Sequence, residues 1–377
     1  MNLVAPFGFF GAGNIGDEST LQGFARLVSR YQRDFNIWVA SRNPEHTGRM
    51  EPSFKYYKSR GSDLWRRWLQ FRSSASVIVG GTPIMDVLGD WPLNELVPMI
   101  SAAKNQKKRV VFVGAGTEAL QREKSKRLMS EFFAPRVEYW TVKSERDKER
   151  LTNNGIKSEK VTVAADLAWT LDAVPDDFGK QLLMESGVSG NTPLVGVNIT
   201  NEQLVCEQEP QFFEKVARFL DELIDKHDVQ VLFIANEVRE GETFDKVASA
   251  KALSHIKRKD RVTMIPNHYW SPEQMRSLIS CCQMTITMRY HFCLFSAMQG
   301  VPFIALKRSG KVDDLCWDLK WPYGALLGNL DVSELLDMFS AADHNRASIV
   351  EYLNVQTKLM REKAFQNSVS LDALFER

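Results

Sequence analysis

Arg289 and His291 stand one residue apart in T-M-R-Y-H (residues 287–291), directly after a short run rich in β-branched residues. An arginine offers a planar cation that grips phosphate or carboxylate, and a histidine is the side chain that exchanges a proton near neutrality. Delivered together to one strand end, they would pair an anion clamp with a proton carrier. The same residue types also serve as a structural ion pair and as a core histidine bonded to backbone, and their spacing leaves both readings open. After the next apolar run, P-F-I-A-L-K, come Lys307, Arg308 and Lys311, suited either to a phosphate or to a solvated surface.

A second candidate lies at the start of the chain, where F-F-G-A-G-N-I-G-D-E-S (residues 9–19) contains Gly11-x-Gly13-x-x-Gly16. This is the spacing of a dinucleotide-binding loop, in which a helix N-terminus attracts a pyrophosphate. Asp17 and Glu18 already put negative charge at that spot. The acidic ribose partner expected after the second strand is missing too, although Arg42 in W-V-A-S-R keeps an NADP site open. A glycine turn from strand to helix is the plainer alternative. Two further glycine loops, V-G-G-T-P-I-M-D (79–86) and V-G-A-G-T-E-A-L (113–120), point to a ligand-accommodating edge. Asp166 follows a strand in A-D-L-A-W, and His268 in I-P-N-H-Y-W-S-P-E follows another. His46, His227, His255 and His344 sit in polar surroundings, and no histidine pair has metal-ligand spacing, so no metal is expected.

The elements that must carry these residues are visible as apolar runs ending in Gly, Ser or Asn. In the first half they are L-V-A-P-F-G-F-F-G, F-N-I-W-V-A-S, A-S-V-I-V-G-G, R-V-V-F-V-G-A-G, V-E-Y-W-T-V-K-S and K-V-T-V-A-A-D, with amphipathic stretches between most of them. A second series begins at P-L-V-G-V-N-I-T and continues with V-Q-V-L-F-I-A-N, R-V-T-M-I-P-N, M-T-I-T-M-R-Y-H and P-F-I-A-L-K. Strands alternating with helices require parallel sheets, and ligands gather at the carboxyl ends of such strands. The expected fold is therefore α/β. It has two Rossmann-like domains facing a central cleft, at 1–172 and 193–330, a Pro- and Gly-rich linker at 173–192, and a helical tail at 331–377 that could pack against either domain.

The 377 residues suit two domains, and 48 basic residues against 47 acidic ones argue against a nucleic-acid binder. Five cysteines without a C-x-x-C pair read as reduced thiols of a cytoplasmic protein. The apolar start M-N-L-V-A-P-F-G lacks a basic leader and reads as a first strand rather than a signal peptide, and no apolar run reaches membrane-spanning length. Any membrane association is expected to be peripheral, at the inner face of the cell membrane.

Taken in order, Gly8, Gly11, Gly13, Asn14, Gly16, Asp17, Glu18 and Leu21, the V-G-G strand end, S-E-R-D-K-E-R-L-T-N-N-G-I followed by V-T-V-A-A-D-L-A-W-T-L, and T-M-R-Y-H-F-C-L-F-S-A-M-Q-G-V-P-F-I-A-L-K-R-S-G-K-V resemble the polysaccharide pyruvyl transferase family. The likeness runs from Leu3 to about Lys320. It implies a fold like that of two-domain GT-B glycosyltransferases and transfer of pyruvate from phosphoenolpyruvate to a sugar, giving a cyclic ketal. Phosphoenolpyruvate is then the donor substrate, a saccharide or lipid-linked saccharide is the acceptor, and no cofactor is needed. The resemblance carries the catalytic R-x-H onto Arg289 and His291, with His291 as general acid/base and Arg289 as principal anion ligand. Lys311 assists at the leaving phosphate, with Lys307 nearby. Gly13, Asn14, Asp17 and Glu18 are expected to face the acceptor from the first domain, with Asp17 or Glu18 as candidate base, and His268, by its place after a strand, is expected to line the cleft. Asn198 is expected to contact substrate, although the chain departs from the family pattern there, where many members carry an arginine-bearing loop, and in A-N-E-V-R-E-G-E-T-F-D (235–245). A GT-B glycosyltransferase using a nucleotide sugar, and a non-catalytic binding protein, are the alternatives.

Overall fold

The computed structural model describes residues 1–59, 68–69, 71–188, 192–239, 244–308 and 310–375. The chain forms two compact units, one made of Met1–Ala12, Asp17–Leu171 and Leu359–Arg377, the other of Gly13–Gly16 and Asp172–Lys358.

The first unit is built on a seven-stranded sheet with strands β1 (Asn2–Ala5), β2 (Asn36–Ser41), β3 (Lys55–Lys58), β4 (Ala75–Val79), β5 (Arg109–Ala115), β6 (Tyr139–Val142) and β7 (Val161–Val163) in the order β3-β2-β1-β4-β5-β6-β7. Every neighbouring pair is parallel. A parallel sheet is covered on both faces, so its central strands read as continuous apolar runs rather than as alternations. All of Ala75–Val79 is buried accordingly. Val77, Val79, Val111 and Val113 join one core cluster, and Ile78, Val110 and Phe112 join another, where the Phe112 and Trp140 rings stack 3.9 Å apart.

The second unit holds a six-stranded sheet of β8 (Leu194–Asn198), β9 (Gln230–Ile234), β10 (Val262–Ile265), β11 (Met284–Thr287), β12 (Phe303–Lys307) and β13 (Gly324–Leu326), ordered β10-β9-β8-β11-β12-β13 and again all parallel. Helix Phe212–His227 buries Phe212, Val216, Phe219, Leu220 and Leu223, the three-to-four spacing of a single apolar face. In each sheet the strand order reverses once, between β1 and β4 and between β8 and β11. These switch points are where the connecting chains part and leave room for a ligand.

Every strand expected from the sequence is present, and β3 and β13 are additional. Both are short edge strands, β3 with only one buried residue. The stretch expected as a linker, 173–192, is described over most of its length. Residues 189–191 lie outside the described ones, but Asp177–Glu185 is a helix packed on helix Pro272–Ser280. Gly179, a glycine of that Pro- and Gly-rich stretch, is what lets the two helices approach: its N–H donates to Ser277 Oγ at 3.0 Å, and a Cβ there would lie 2.3 Å from the Ser277 carbonyl oxygen. Buried Arg276 donates to the Asp172 carbonyl at 2.6 Å.

The tail is helical, as Val332–His344, Arg346–Phe365 and Ser368–Asp372, but it does not form a separate segment. Its end completes the first unit. Leu371 is fully buried in the cluster that contains Leu3 and Val77, Ser370 Oγ donates to the Phe112 carbonyl at 2.8 Å, and Asn367 Nδ2 donates to the Ala165 carbonyl at 2.9 Å. Among the described residues no helix is long and apolar enough to cross a membrane.

Truncating a core leucine removes its transfer energy and leaves a cavity. Leu371→Ala is therefore expected to destabilise the protein by about 2–5 kcal/mol, read as a lower urea midpoint.

Candidate active site

Strand β11 ends at Thr287, and Arg289 is the residue immediately before helix Tyr290–Met298. Its N–H donates to Thr287 Oγ1 at 3.1 Å, which fixes the turn from strand to helix. Its guanidinium does not reach into open space. Nε and Nη2 donate to Asp245 Oδ1 at 3.1 and 2.6 Å, Nη2 also meets Thr200 Oγ1 at 3.2 Å and Glu237 Oε2 at 2.9 Å, and Nη1 meets Glu202 Oε1 at 3.3 Å. The anion that this arginine grips is thus the protein's own carboxylates. Burial alone would lower its pKa, but Asp245, Glu237 and Glu202 outweigh burial and raise it.

Asp245, fully buried, is the centre of the arrangement. Its second oxygen accepts from the backbone N–H groups of Asn236 and Glu237 at 2.9 and 3.1 Å and from Asn198 Nδ2 at 3.0 Å. Asn198 also donates to the Ile234 carbonyl at 2.8 Å and accepts from Thr287 Oγ1 at 3.1 Å. Asn198, expected to touch substrate, is thereby a buried tie joining the ends of β8, β9 and β11. Glu237, nearly as buried, also pairs with Arg239. Burial raises the Glu237 pKa, and Asp245 adds to the rise against the pull of Arg289 and Arg239. At the end of β12, Arg308 pairs with Glu202 and donates from Nε to the Met288 carbonyl at 3.4 Å. Burial lowers the Arg308 pKa and Arg289 lowers it further, against Glu202.

His291 lies in the first turn of helix Tyr290–Met298, half-buried, with its ring centroid 5.0 Å from that of Tyr290 and 6.3 Å from that of Phe295. The glycine loop seats it. A Cβ on Gly16 would lie 2.2 Å from His291 Nδ1, so only glycine leaves room for this ring. The loop itself is stitched to the end of β9: Val238 N–H donates to the Gly13 carbonyl at 2.8 Å, and Asn14 forms an antiparallel bridge with Glu237. Asn14 Oδ1 accepts from the Gly16 N–H at 2.9 Å and from Asn236 Nδ2 at 3.4 Å. Gly13 has φ +92°, a conformation that suits glycine, and a Cβ there would crowd Arg239.

In the first unit, Glu18 is buried and takes the Gly11 N–H, the kind of donor a pyrophosphate would need. Ser41 is buried against Thr47 Oγ1 at 2.7 Å, and Arg42 stacks over the Phe9 ring at 4.0 Å. This geometry disfavours the dinucleotide reading and makes Glu18 a holder of the glycine loop, where the sequence suggested an acceptor contact. Asp17 is half-buried in the first turn of helix Ile15–Val28. Asp166 caps Leu167–Thr170 by accepting from the Ala168 N–H at 2.9 Å and pairs with Lys143 at 2.5 Å.

Lys307 pairs with Asp313 at 3.0 Å, and Lys311 is half-buried in the first turn of helix Gly310–Asp318. His268 is exposed in a turn whose neighbouring Asn267 Oδ1 accepts from the Tyr269 N–H at 2.8 Å. Sequence reasoning missed Asp245, Glu237 and Glu202. A signal was present for the first two, since both fall in the stretch A-N-E-V-R-E-G-E-T-F-D that matched no pattern.

The sequence profile of the family described as polysaccharide pyruvyl transferase matches residues 14–310, a span that includes Asn14, Glu202, Asp245, Arg289, His291 and Arg308. The chain belongs to this family. No curated protein matches it by sequence. Solved structures share its fold. HepE of Anabaena in complex with UDP and glucose superposes with a TM-score of 0.67 at 10% identity, over 100% of this chain and 99% of that one. UDP-GlcNAc 2-epimerase of Methanocaldococcus jannaschii gives 0.61 at 13% identity, over 90% and 92%. The enzyme of that name from Neisseria meningitidis, bound to UDP-GlcNAc, gives 0.61 at 12% identity over 100% of both chains. At such identities the likeness is one of fold. The two parallel sheets and the helical tail make this family member an α/β protein of GT-B-like type.

Removing one partner of a buried ion pair leaves the other charge uncompensated. Asp245→Ala is expected to cost about 3–5 kcal/mol of unfolding free energy, measured by urea denaturation, with Asp245→Asn intermediate because it keeps some hydrogen bonds.

Proposed function

We propose that this family member transfers the pyruvate unit of phosphoenolpyruvate to two hydroxyls of a saccharide as a cyclic ketal, and that the acceptor is a polysaccharide repeat or its lipid-linked precursor. The observation that carries the reading is the R-x-H pair at the carboxyl end of β11, beside the switch point of the second sheet and within the span that defines the family. A lipid-linked precursor would bring the protein to the inner face of the cell membrane.

Phosphoenolpyruvate is an enol ester of phosphate. Protonation of its methylene carbon makes the adjacent carbon an oxocarbenium-like centre, which one sugar hydroxyl attacks. The second hydroxyl then displaces phosphate and closes the ring. The hydroxyl protons leave to a base, and the methylene becomes the ketal methyl. His291 is the acid/base in this proposal, with its ring seated against Gly16 in the first turn of a helix. Lys307, the last residue of β12, and Lys311, in the helix after it, supply positive charge for the leaving phosphate. Asp17 is the candidate base for a sugar hydroxyl. Arg289 serves mainly by fixing the strand ends, with Nη1 as the edge it turns toward an anion.

The test incubates the protein with phosphoenolpyruvate and a panel of simple and lipid-linked glycosides, following phosphate release and acceptor mass. Matched release of phosphate and gain of a pyruvate ketal supports the reading; saturable binding of a UDP-sugar with no response to phosphoenolpyruvate replaces it with nucleotide-sugar chemistry. A positioned acid/base contributes typically ~10²–10⁴-fold, so His291→Ala is expected to lower turnover by about that factor with the fold intact by circular dichroism. Gly16→Ala, which displaces the same ring, is expected to reduce turnover by about 10²-fold while leaving the melting temperature within a few degrees.

A further inference from the structure

One carboxylate bridges two arginines at the ends of β11 and β12. Glu202 presents Oε1 to Arg289 Nη1 at 3.3 Å and Oε2 to Arg308 Nη1 in a short contact. The other acids on Arg289 are anchored, Asp245 by backbone N–H groups and Glu237 by burial and by Arg239. Glu202 is different. It sits between β8 and helix Gln203–Gln208 with extended backbone, and 34% of its side chain is exposed, whereas the two arginine side chains it joins are 10% and 15% exposed.

Charge reinforces the geometry. Arg239, Arg289 and Arg308 are balanced by Glu202, Glu237 and Asp245. Withdrawing Glu202 leaves a net positive charge and two nearly buried guanidiniums that repel each other, an arrangement that demands another anion. A phosphate or carboxylate group offers what Glu202 offers, two oxygens for two charge-assisted hydrogen bonds.

We propose that Arg289 Nη1 and Arg308 Nη1 form an oxyanion subsite, and that Glu202 competes for it as an internal carboxylate that an incoming phosphate or carboxylate group must displace. Calling that anion the donor rests on the pyruvyl-transfer reading; the two-arginine site itself rests on its geometry. Arg308 then binds donor directly, and Glu202 sets how tightly.

Inorganic phosphate and pyruvate represent the two anionic ends of the donor, and each is titrated calorimetrically into the wild-type protein, Glu202→Gln, Arg308→Gln and the double variant. Glu202→Gln is expected to tighten one of the two ions about tenfold, the scale of one lost competing charged contact. Arg308→Gln is expected to weaken that same ion and to abolish the gain in the double variant. Which ion responds identifies the end of the donor that the subsite holds. Unchanged or weaker binding of both ions in Glu202→Gln overturns the proposal and leaves Glu202 as a loop tether. If Glu202→Gln does not fold, Glu202→Asp, which shortens the reach of the carboxylate, must tighten one of the two ions, and unchanged or weaker binding of both overturns the proposal. Ion binding does not require phosphoenolpyruvate to be the donor, so a protein that gains phosphate affinity yet transfers no pyruvate would sink the functional reading and keep this one.

Discussion

The ion pair between Asp245 and Arg289 holds together the carboxyl edge of the second unit's sheet. Both groups are removed from water, which is costly for each charge, and the cost is met because every side of the pair is hydrogen-bonded. Through Asp245 the pair holds the end of β9, through Asn198 the end of β8, and through Thr287 the end of β11. Three strands that diverge at a topological switch point are thus tied at their carboxyl ends by a single polar knot. The register of the residues that follow, His291 among them, depends on it.

The glycine loop is a second use of close approach. In a dinucleotide site, glycines bring backbone to a phosphate. Here Gly16 brings a helix start against an imidazole, and Gly13 brings backbone against the segment after β9. The same spacing therefore serves a protein ring and a protein strand end, and Glu18 takes one of the backbone donors that a phosphate would have used. Acidic residues after such a loop are a physical sign that the anion site has been filled from within.

The fold was legible because parallel strands buried on both faces must be continuous apolar runs, and those runs stand out between amphipathic helices. Edge strands β3 and β13 escaped since few of their residues are buried. Gly179 was not legible as a helical residue, for a physical reason: a helical glycine that permits a close helix crossing has the composition of a breaker. At the site, Arg289 and His291 were legible by type and position. The partners of Arg289 were not, because Glu202, Glu237 and Asp245 lie 87, 52 and 44 residues away in sequence, and only the strand order brings them together. An arginine at a strand end reads as a clamp for a ligand until the carboxylates around it are located.

The placement of Leu371, Asn367 and Ser370 in the core of the first unit bears on the order in which the molecule is made. A ribosome releases the strands of that unit first, yet the side chains that close the cluster around Leu3 and Val77 are added only after the whole second sheet has been synthesised. The second unit draws on the early Gly13–Gly16 segment and then on a continuous stretch of chain, so all its parts are present sooner. The N-terminal unit is therefore the later of the two to complete its core during translation. Until then its apolar surface is left to whatever shelters nascent chains.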